Sequence, residues 1–228
     1  MARTLKGILF DLDGTLIDSA PDLQTAANVL LTEAGRPPLS LAQVMQMVGD
    51  GMPSLIRRAF AATGAPTTEA DMPGLLRRFR AAYAEPAGGH RTIVYPGVAE
   101  ALAEFKAEGL RLAVCTNKVE AAAVDILDHL GLAHHLDAVV GPDTVPAQKP
   151  DPAHLHAALA RLGVAPEHAV MVGDGPNDVA AARAAGLPVL LVTYGYRLCR
   201  TAADLRADAM ADRFADVPGA LRALCARL

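Results

Sequence analysis

Gly7-Ile8-Leu9-Phe10-Asp11-Leu12-Asp13-Gly14-Thr15-Leu16 is the stretch that decides how the rest of the chain is read. Its first four residues form a short apolar run closed by turn chemistry at Gly14, the pattern of a buried strand that ends abruptly. Two carboxylates, Asp11 and Asp13, therefore stand where a strand gives way to a loop. In an open α/β sheet, ligands bind at that end of the strands. A carboxylate there can attack phosphorus, and a second beside it can move protons. Asp and Gly also build ordinary turns, so residues further along must settle the question.

Working outward, the same pattern returns. Leu110-Arg111-Leu112-Ala113-Val114-Cys115 runs into Thr116-Asn117-Lys118. Lys149-Pro150 stands in a loop, and Ala169-Val170-Met171-Val172 leads into Gly173-Asp174-Gly175-Pro176-Asn177-Asp178. An acidic strand end, a hydroxyl strand end, a loop lysine and a second acidic strand end follow in that order. Together they resemble the haloacid dehalogenase superfamily, and within it the phosphoglycolate-phosphatase-like phosphatases. The resemblance covers essentially the whole chain, and its four motifs, each short, are jointly very specific.

Composition narrows the class independently. The 228 residues can bury a sizeable core, and 52% of them are apolar, with no Trp. A formal charge of −4 argues against a nucleic-acid-binding surface. Cys115, Cys199 and Cys225 lack metal-ligand spacing and are odd in number, which fits a reducing cytoplasm. Met1-Ala2-Arg3-Thr4-Leu5-Lys6 precedes an apolar run too short for a signal peptide, and no stretch approaches a membrane span. A cytoplasmic protein without nucleic-acid or membrane partners, monomeric or homodimeric, is expected.

After the first motif the pattern turns helical for some seventy residues. Ser19 is expected to cap a helix with Pro21 in its first turn and Leu23, Ala27, Leu30 and Leu31 on its apolar face. Ser40 and Gln43 read as a capping box. Pro53 opens a third helix, with Leu55, Ile56, Ala59 and Phe60, and Thr68 and Asp71 start a fourth. Glu85-Pro86-Ala87-Gly88-Gly89 and Tyr95-Pro96-Gly97 bound this module. From Val98 helices and strands alternate, with strands at 111–115, 137–140, 169–173 and 188–192, and less legibly a strand near Ala209 and a helix from Val217. Alternation with continuous apolar strands implies a parallel sheet covered on both faces. The expected fold is thus α/β, a doubly wound, Rossmann-like parallel-sheet core (1–16 and 93–228) with an inserted α-helical cap (17–92). The resemblance implies a strand order 3-2-1-4-5, which gathers Asp11, Asp13, Asp174 and Asp178 around one crevice at the switch point.

Four converging carboxylates would repel one another, and a hard dication relieves this; all-oxygen ligands with room for water and phosphate favour Mg²⁺. The family pattern, carried onto matching positions, makes Asp11 nucleophile and metal ligand. It makes Asp13 a backbone-carbonyl metal ligand whose side chain acts as acid, then base, and Asp174 the remaining direct ligand. Asp178 would hold metal-bound water or orient Lys149. The plainer reading of Asp174 and Asp178 is a helix N-terminus favouring acids. Thr116 and Asn117 would bind phosphoryl oxygens through a hydroxyl and backbone amides, or simply cap a helix. Lys149 would neutralise the phosphoryl group, whereas Lys118 is expected to be solvated or at the rim.

The implied activity is Mg²⁺-dependent hydrolysis of a small-molecule phosphate monoester, foremost 2-phosphoglycolate, through an aspartyl-phosphate. Dehalogenases lack an acid at the position of Asp13, and phosphonatases use a cap lysine, but residues 17–92 contain no Lys. Gly49-Asp50-Gly51 could approach the substrate, with Arg57 foremost, or Arg58, meeting an anion; a turn and a solvated helix face are the plainer alternatives. His90 and Arg91 read as structural, and His134 and His135 as a helix-terminus feature. A sugar-phosphate or nucleotide phosphatase, a phosphomutase, and a non-catalytic phosphate-binding module stay open on the same fold. A nucleotide-binding Rossmann protein is disfavoured because no Gly-x-Gly-x-x-Gly follows the first strand.

Overall fold

A computed structural model describes residues 4–85, 88–145, 147–196 and 205–227. Cys199 and the Pro86-Ala87 part of the expected boundary lie outside the described residues. The chain divides into two compact units, one comprising Met1–Ile17 and Val94–Leu228, the other Asp18–Ile93. It crosses between them at β2 (Ile17–Asp18) and β3 (Ile93–Val94), two short strands that pair with each other.

The larger unit is built on β1 (Gly7–Phe10), β4 (Arg111–Cys115), β5 (Ala138–Val140), β6 (Ala169–Gly173), β7 (Val189–Val192) and β8 (Ala209–Ala211). They form one sheet in the order β5-β4-β1-β6-β7-β8, and every neighbouring pair is parallel. The five-strand order expected above is therefore present, with β8 added at one edge. Its helices are α5 (Val98–Ala107), α6 (Glu120–His129), α7 (Pro152–Leu162), α8 (Pro176–Ala184) and α9 (Val217–Cys225).

Strand residues alternate between two cores because successive side chains point to opposite faces. Ile8, Phe10, Leu112, Val114, Val170 and Val172 pack with Leu102 and Phe105 of α5 and Leu221 of α9. Leu9, Ala113, Met171, Val189 and Leu191 pack on the other face with Leu155 and Leu159 of α7 and Val179 of α8. Both faces are dry, so these strands carry unbroken apolar runs. Register then fixes the chemistry. Phe10 is paired with Val114 on one side and Val172 on the other, so β1, β4 and β6 end side by side. The residues that follow these ends emerge together at the switch point of the strand order.

The smaller unit consists of α1 (Ala20–Glu33), α2 (Leu41–Met45), α3 (Gly51–Thr63) and α4 (Met72–Ala84), with α1 touching the other three. Leu23, Leu30, Leu31, Val44, Leu55, Ile56, Phe60 and Phe79 are buried in it. Ser40 and Gln43 form the expected capping box. Ser19 does not behave as expected. It sits in helical geometry without a side-chain capping bond, and Asp18 Oδ1 instead accepts the Ala20 N–H at 3.2 Å. A buried serine already in helical conformation cannot turn its hydroxyl back on the first turn, so the neighbouring carboxylate does so.

Candidate active site

The loop after β1 starts where Asp11 N–H donates to Val172 O of β6 at 2.9 Å. Gly14 then turns the chain at φ +90°, a left-handed value that favours glycine. A Cβ on Gly14 would lie 2.4 Å from Asp174 Oδ2, so the turn and the second acidic motif are in direct apposition. Asp11, Asp174 and Asp178 bring their carboxylate oxygens within 4.8 Å of one another.

Lys149 stands among them. Its ammonium is 2.8 Å from Asp11 Oδ1 and 2.7 Å from Asp178 Oδ1, with the side chain 2% exposed. Burial penalises this ammonium, but Asp11 and Asp178 outweigh it and raise its pKa, so Lys149 is a fixed cation. Asn117 explains how the lysine is aimed. Its side-chain NH₂ donates to Lys149 O and its side-chain oxygen accepts the Lys149 N–H, both at 2.9 Å. The Asn117 side chain is therefore engaged on the lysine's backbone, and a phosphate contact from this residue would fall to its backbone amide. Thr116 is buried and accepts the Lys118 N–H at 3.1 Å, which leaves its hydroxyl hydrogen able to donate.

Asp178 contacts Lys149 and also stands at a helix start. One oxygen holds Lys149, while the other accepts the N–H groups of Asp174 (3.2 Å) and Gly175 (3.1 Å) at the start of α8. Asp174 is gripped by the segment Tyr194-Gly195-Tyr196, to which no role was assigned from the sequence. Tyr196 N–H donates to Asp174 Oδ2 at 2.7 Å, and a Cβ on Gly195 would fall 2.3 Å from Asp174 Cβ. The Tyr194 hydroxyl donates to Thr15 O at 2.6 Å, and its ring lies against Tyr95 with centroids 4.4 Å apart. This segment braces the first motif and the last acidic one together.

Lys118 is the clear correction. Expected to be solvated or at the rim, its side chain is 6% exposed, with Nζ 3.0 Å from both oxygens of Asp13. A buried ammonium is tolerated only when paired, and Asp13 supplies the pair. Spacing along the chain could not show this, because a residue at a strand-to-helix turn can point either way.

Among the described residues, four carboxylates (Asp11, Asp13, Asp174, Asp178) and two ammonium groups thus meet here, a surplus of two negative charges when all are ionised. Burial raises Asp11 to about 6, Lys149 opposing the rise and Asp178 adding to it. Asp174 is pushed well above the ordinary carboxylate value, by burial first and then by Asp11 and Asp178. An oxygen-only donor set with excess negative charge suits a hard dication such as Mg²⁺.

Arg57 and Arg58 lie in the helical unit. Arg57 is exposed and pairs with Glu69 at 2.9 Å. Arg58 engages Gly49-Asp50-Gly51 through the Asp50 carboxylate, and it also donates to Met47 O just before that turn at 2.8 Å. Arg91 and Thr92 donate backbone N–H groups to buried Asp22, at 2.9 Å each to their nearer oxygen. His134 and His135 sit in a single 3-10 turn with rings 3.8 Å apart.

Parallel strands in this order, with acidic residues at two central strand ends and a lysine between them, define a class that comparison with known proteins makes explicit. The model of the haloacid dehalogenase-like hydrolases matches residues 5–186, and the chain belongs to that family. It is 47% identical over 217 residues to the phosphoglycolate phosphatase of Rhodospirillum rubrum, covering 93% of this chain and 89% of that protein. The phosphoglycolate phosphatase of Caulobacter vibrioides is 43% identical over 213 residues, with the same coverage. Among solved structures, a predicted phosphoglycolate phosphatase from Haemophilus somnus superimposes with a TM-score of 0.88 at 35% identity, over 94% of this chain and 97% of that one. Among the described residues no helix is long and apolar enough to cross a membrane.

Proposed function

We propose that this protein hydrolyses 2-phosphoglycolate to glycolate and phosphate through an aspartyl-phosphate on Asp11. The observation that carries the reading is the placement of Asp11 against a buried, anchored Lys149 while Asp13, two residues on, faces a separate cation. That separation gives the two carboxylates different work. Likeness to phosphoglycolate phosphatases over nearly the full chain supports the substrate.

In the first step an Asp11 oxygen attacks phosphorus, the bond from phosphorus to the ester oxygen breaks, and Asp13 gives that oxygen its proton. In the second step Asp13 takes a proton from water as the water oxygen attacks phosphorus, releasing phosphate and the Asp11 carboxylate. Lys149 balances charge on the phosphoryl oxygens, and the Thr116 hydroxyl and the Asn117 amide bind them. Asp11, Asp174 and the backbone carbonyl of Asp13 would hold Mg²⁺, with Asp178 behind them. When bound, the ion would screen the phosphoryl charge and the surplus of carboxylates. The cytoplasm is the proposed location.

A turnover panel with Mg²⁺ tests the reading: 2-phosphoglycolate, hexose phosphates, nucleoside monophosphates and nitrophenyl phosphate, ranked by kcat/KM. We expect 2-phosphoglycolate to lead. A hexose phosphate or nucleotide in first place would replace the substrate, and conversion of hexose 1-phosphate to the 6-phosphate isomer would make the enzyme a mutase. No turnover of any ester by the metal-loaded protein would remove the catalytic reading.

A further inference from the structure

The site holds two buried ammonium groups, and they are not equivalent. Lys149 touches the proposed nucleophile and Asp178, and its backbone is clamped by Asn117. That cation belongs to the phosphoryl side. Lys118 lies against both oxygens of Asp13, the residue that hands a proton to the leaving group. Its charge therefore stands on the leaving-group side of the reaction. Nothing in phosphoryl transfer itself demands a second cation there, since Asp13 alone can protonate an alkoxide oxygen.

The leaving group of 2-phosphoglycolate is itself anionic. A single carbon separates its bridging oxygen from its carboxylate. An acid at work sits within hydrogen-bond distance of the bridging oxygen, about 2.6–3.2 Å. An ammonium 3.0 Å from that acid's own oxygens is then within reach of the carboxylate. A buried ammonium contacts a carboxylate strongly because little water competes. By contrast, Arg57 is 45% exposed and already engaged by Glu69, and an arginine in water discriminates weakly between charged and neutral ligands.

We propose that Lys118 is the specificity-determining residue of the site, binding the carboxylate of the leaving group while Lys149 serves the phosphoryl group. The inference rests on the reading of the chain as a 2-phosphoglycolate hydrolase, and it places substrate discrimination in the sheet unit itself. Lys118 selects esters whose leaving group carries a carboxylate one carbon from the bridging oxygen.

The test compares 2-phosphoglycolate with the phosphate ester of glycolamide, a near-isostere in which a neutral amide replaces the carboxylate. Both are assayed on the same Mg²⁺-loaded preparations of wild type, Lys118→Met, Lys118→Arg and Arg57→Ala. The ratio of the two kcat/KM values does not depend on how much of a variant is folded. In Lys118→Met the preference for the acid over the amide should drop about ten- to hundredfold, the worth of a charge-assisted hydrogen bond. Lys118→Arg, which keeps the charge, should recover part of it. A proportional loss on both esters would reduce Lys118 to a positioning residue for Asp13 and overturn the inference. So would an unchanged preference in Lys118→Met, or a collapse of the ratio in Arg57→Ala alone. A wild-type enzyme indifferent between acid and amide would overturn the inference and the substrate reading together. A wild-type preference that survives in Lys118→Met overturns the inference and leaves the substrate reading standing.

Discussion

At the strand ends of the sheet unit the ion pairs are dry, whereas two of those in the helical unit lie in water. Lys149 and Lys118 are 2% and 6% exposed and meet their carboxylates at 2.7–3.0 Å. Arg57–Glu69 and Arg78–Glu33 are pairs whose members are all 40% exposed or more. Buried pairs cost desolvation and survive where rigid strand ends hold both partners and a function repays them. Exposed pairs on a helix surface cost little and contribute little. Among its described residues the helical unit buries one carboxylate, Asp22, but satisfies it mainly with N–H and O–H donors from the returning chain: Arg91 N–H, Thr92 N–H and the Thr92 hydroxyl at 2.6 Å. In the first unit buried charge is available for chemistry; in the second it serves architecture.

If that contrast is right, the largest effects come from the dry site and leave the fold intact. Asp11→Asn should lower turnover on the order of 10⁴-fold or more, because an amide cannot become the attacking carboxylate. Asp13→Asn should cost on the order of 10²–10⁴, and less for nitrophenyl phosphate, whose leaving oxygen needs little protonation. Steady-state kinetics on both esters, with circular dichroism as the control for folding, reads this out. An active Asp11→Asn protein would break the comparison at its strongest point. Metal removal should act on the same site: a chelator abolishes turnover, Mg²⁺ restores it, and Asp174→Ala raises the Mg²⁺ concentration needed for half-activity. Full activity in protein shown by elemental analysis to be metal-free would reject the ion.

The next effect belongs to the helical unit and is one of stability. Burial pushes the Asp22 carboxyl up, but the Thr92 hydroxyl, the Arg91 and Thr92 N–H groups and nearby His90 together hold it below the ordinary value. A carboxylate with a depressed folded pKa contributes stability that is complete above its unfolded value of 3.8 and is lost as pH falls through the folded one. Asp22→Ala should thus destabilise the unit by about 2–3 kcal/mol near neutrality by leaving buried donors unmet. It should speed amide exchange at Arg91 and Thr92 by ten- to a hundredfold or so. The gap between variant and wild type should narrow in acid. Exchange at those two amides that is indifferent to Asp22→Ala would show the carboxylate to be a bystander.

The same contrast explains what could be read in advance. The sheet was legible because strands buried on both faces must be continuous apolar runs, and Ile8-Leu9-Phe10 or Val170-Met171-Val172 admits little else. Asp11 and Asp174 were legible because they follow apolar strand runs, and Lys149 only because its place before Pro150 matches the family pattern. Lys118 was not, since its direction depends on Asp13, over a hundred residues away. Nor was Asn117's grip on Lys149, or the brace that Tyr194 and Tyr196 place on Thr15 and Asp174. Asp22 carries no local signal of its role, because its partners return from some seventy residues downstream. Local pattern fixes elements; contacts between distant loops escape it.

The smallest expected effect is the sharpest check on the exposed half of the comparison. Arg57 and Arg58 are adjacent, of one type and similarly exposed, at 45% and 41%. Yet among the described residues Arg57 bonds the exposed carboxylate of Glu69, while Arg58 binds a backbone carbonyl, Met47 O, and the carboxylate of Asp50 at the start of α3. A side chain that ties down backbone should count for more than one that meets another side chain in water, since less of its gain is lost to ordering flexible groups. Arg57→Ala should therefore change stability by no more than about 0.5 kcal/mol, an effect that fades as salt screens the pair. Arg58→Ala should cost up to about 1 kcal/mol, with part of the loss insensitive to salt because the bond to Met47 O involves a neutral partner. Denaturant melts of the two variants at low and high ionic strength measure both quantities. Equal, fully screened losses would mean that the Met47 contact contributes nothing.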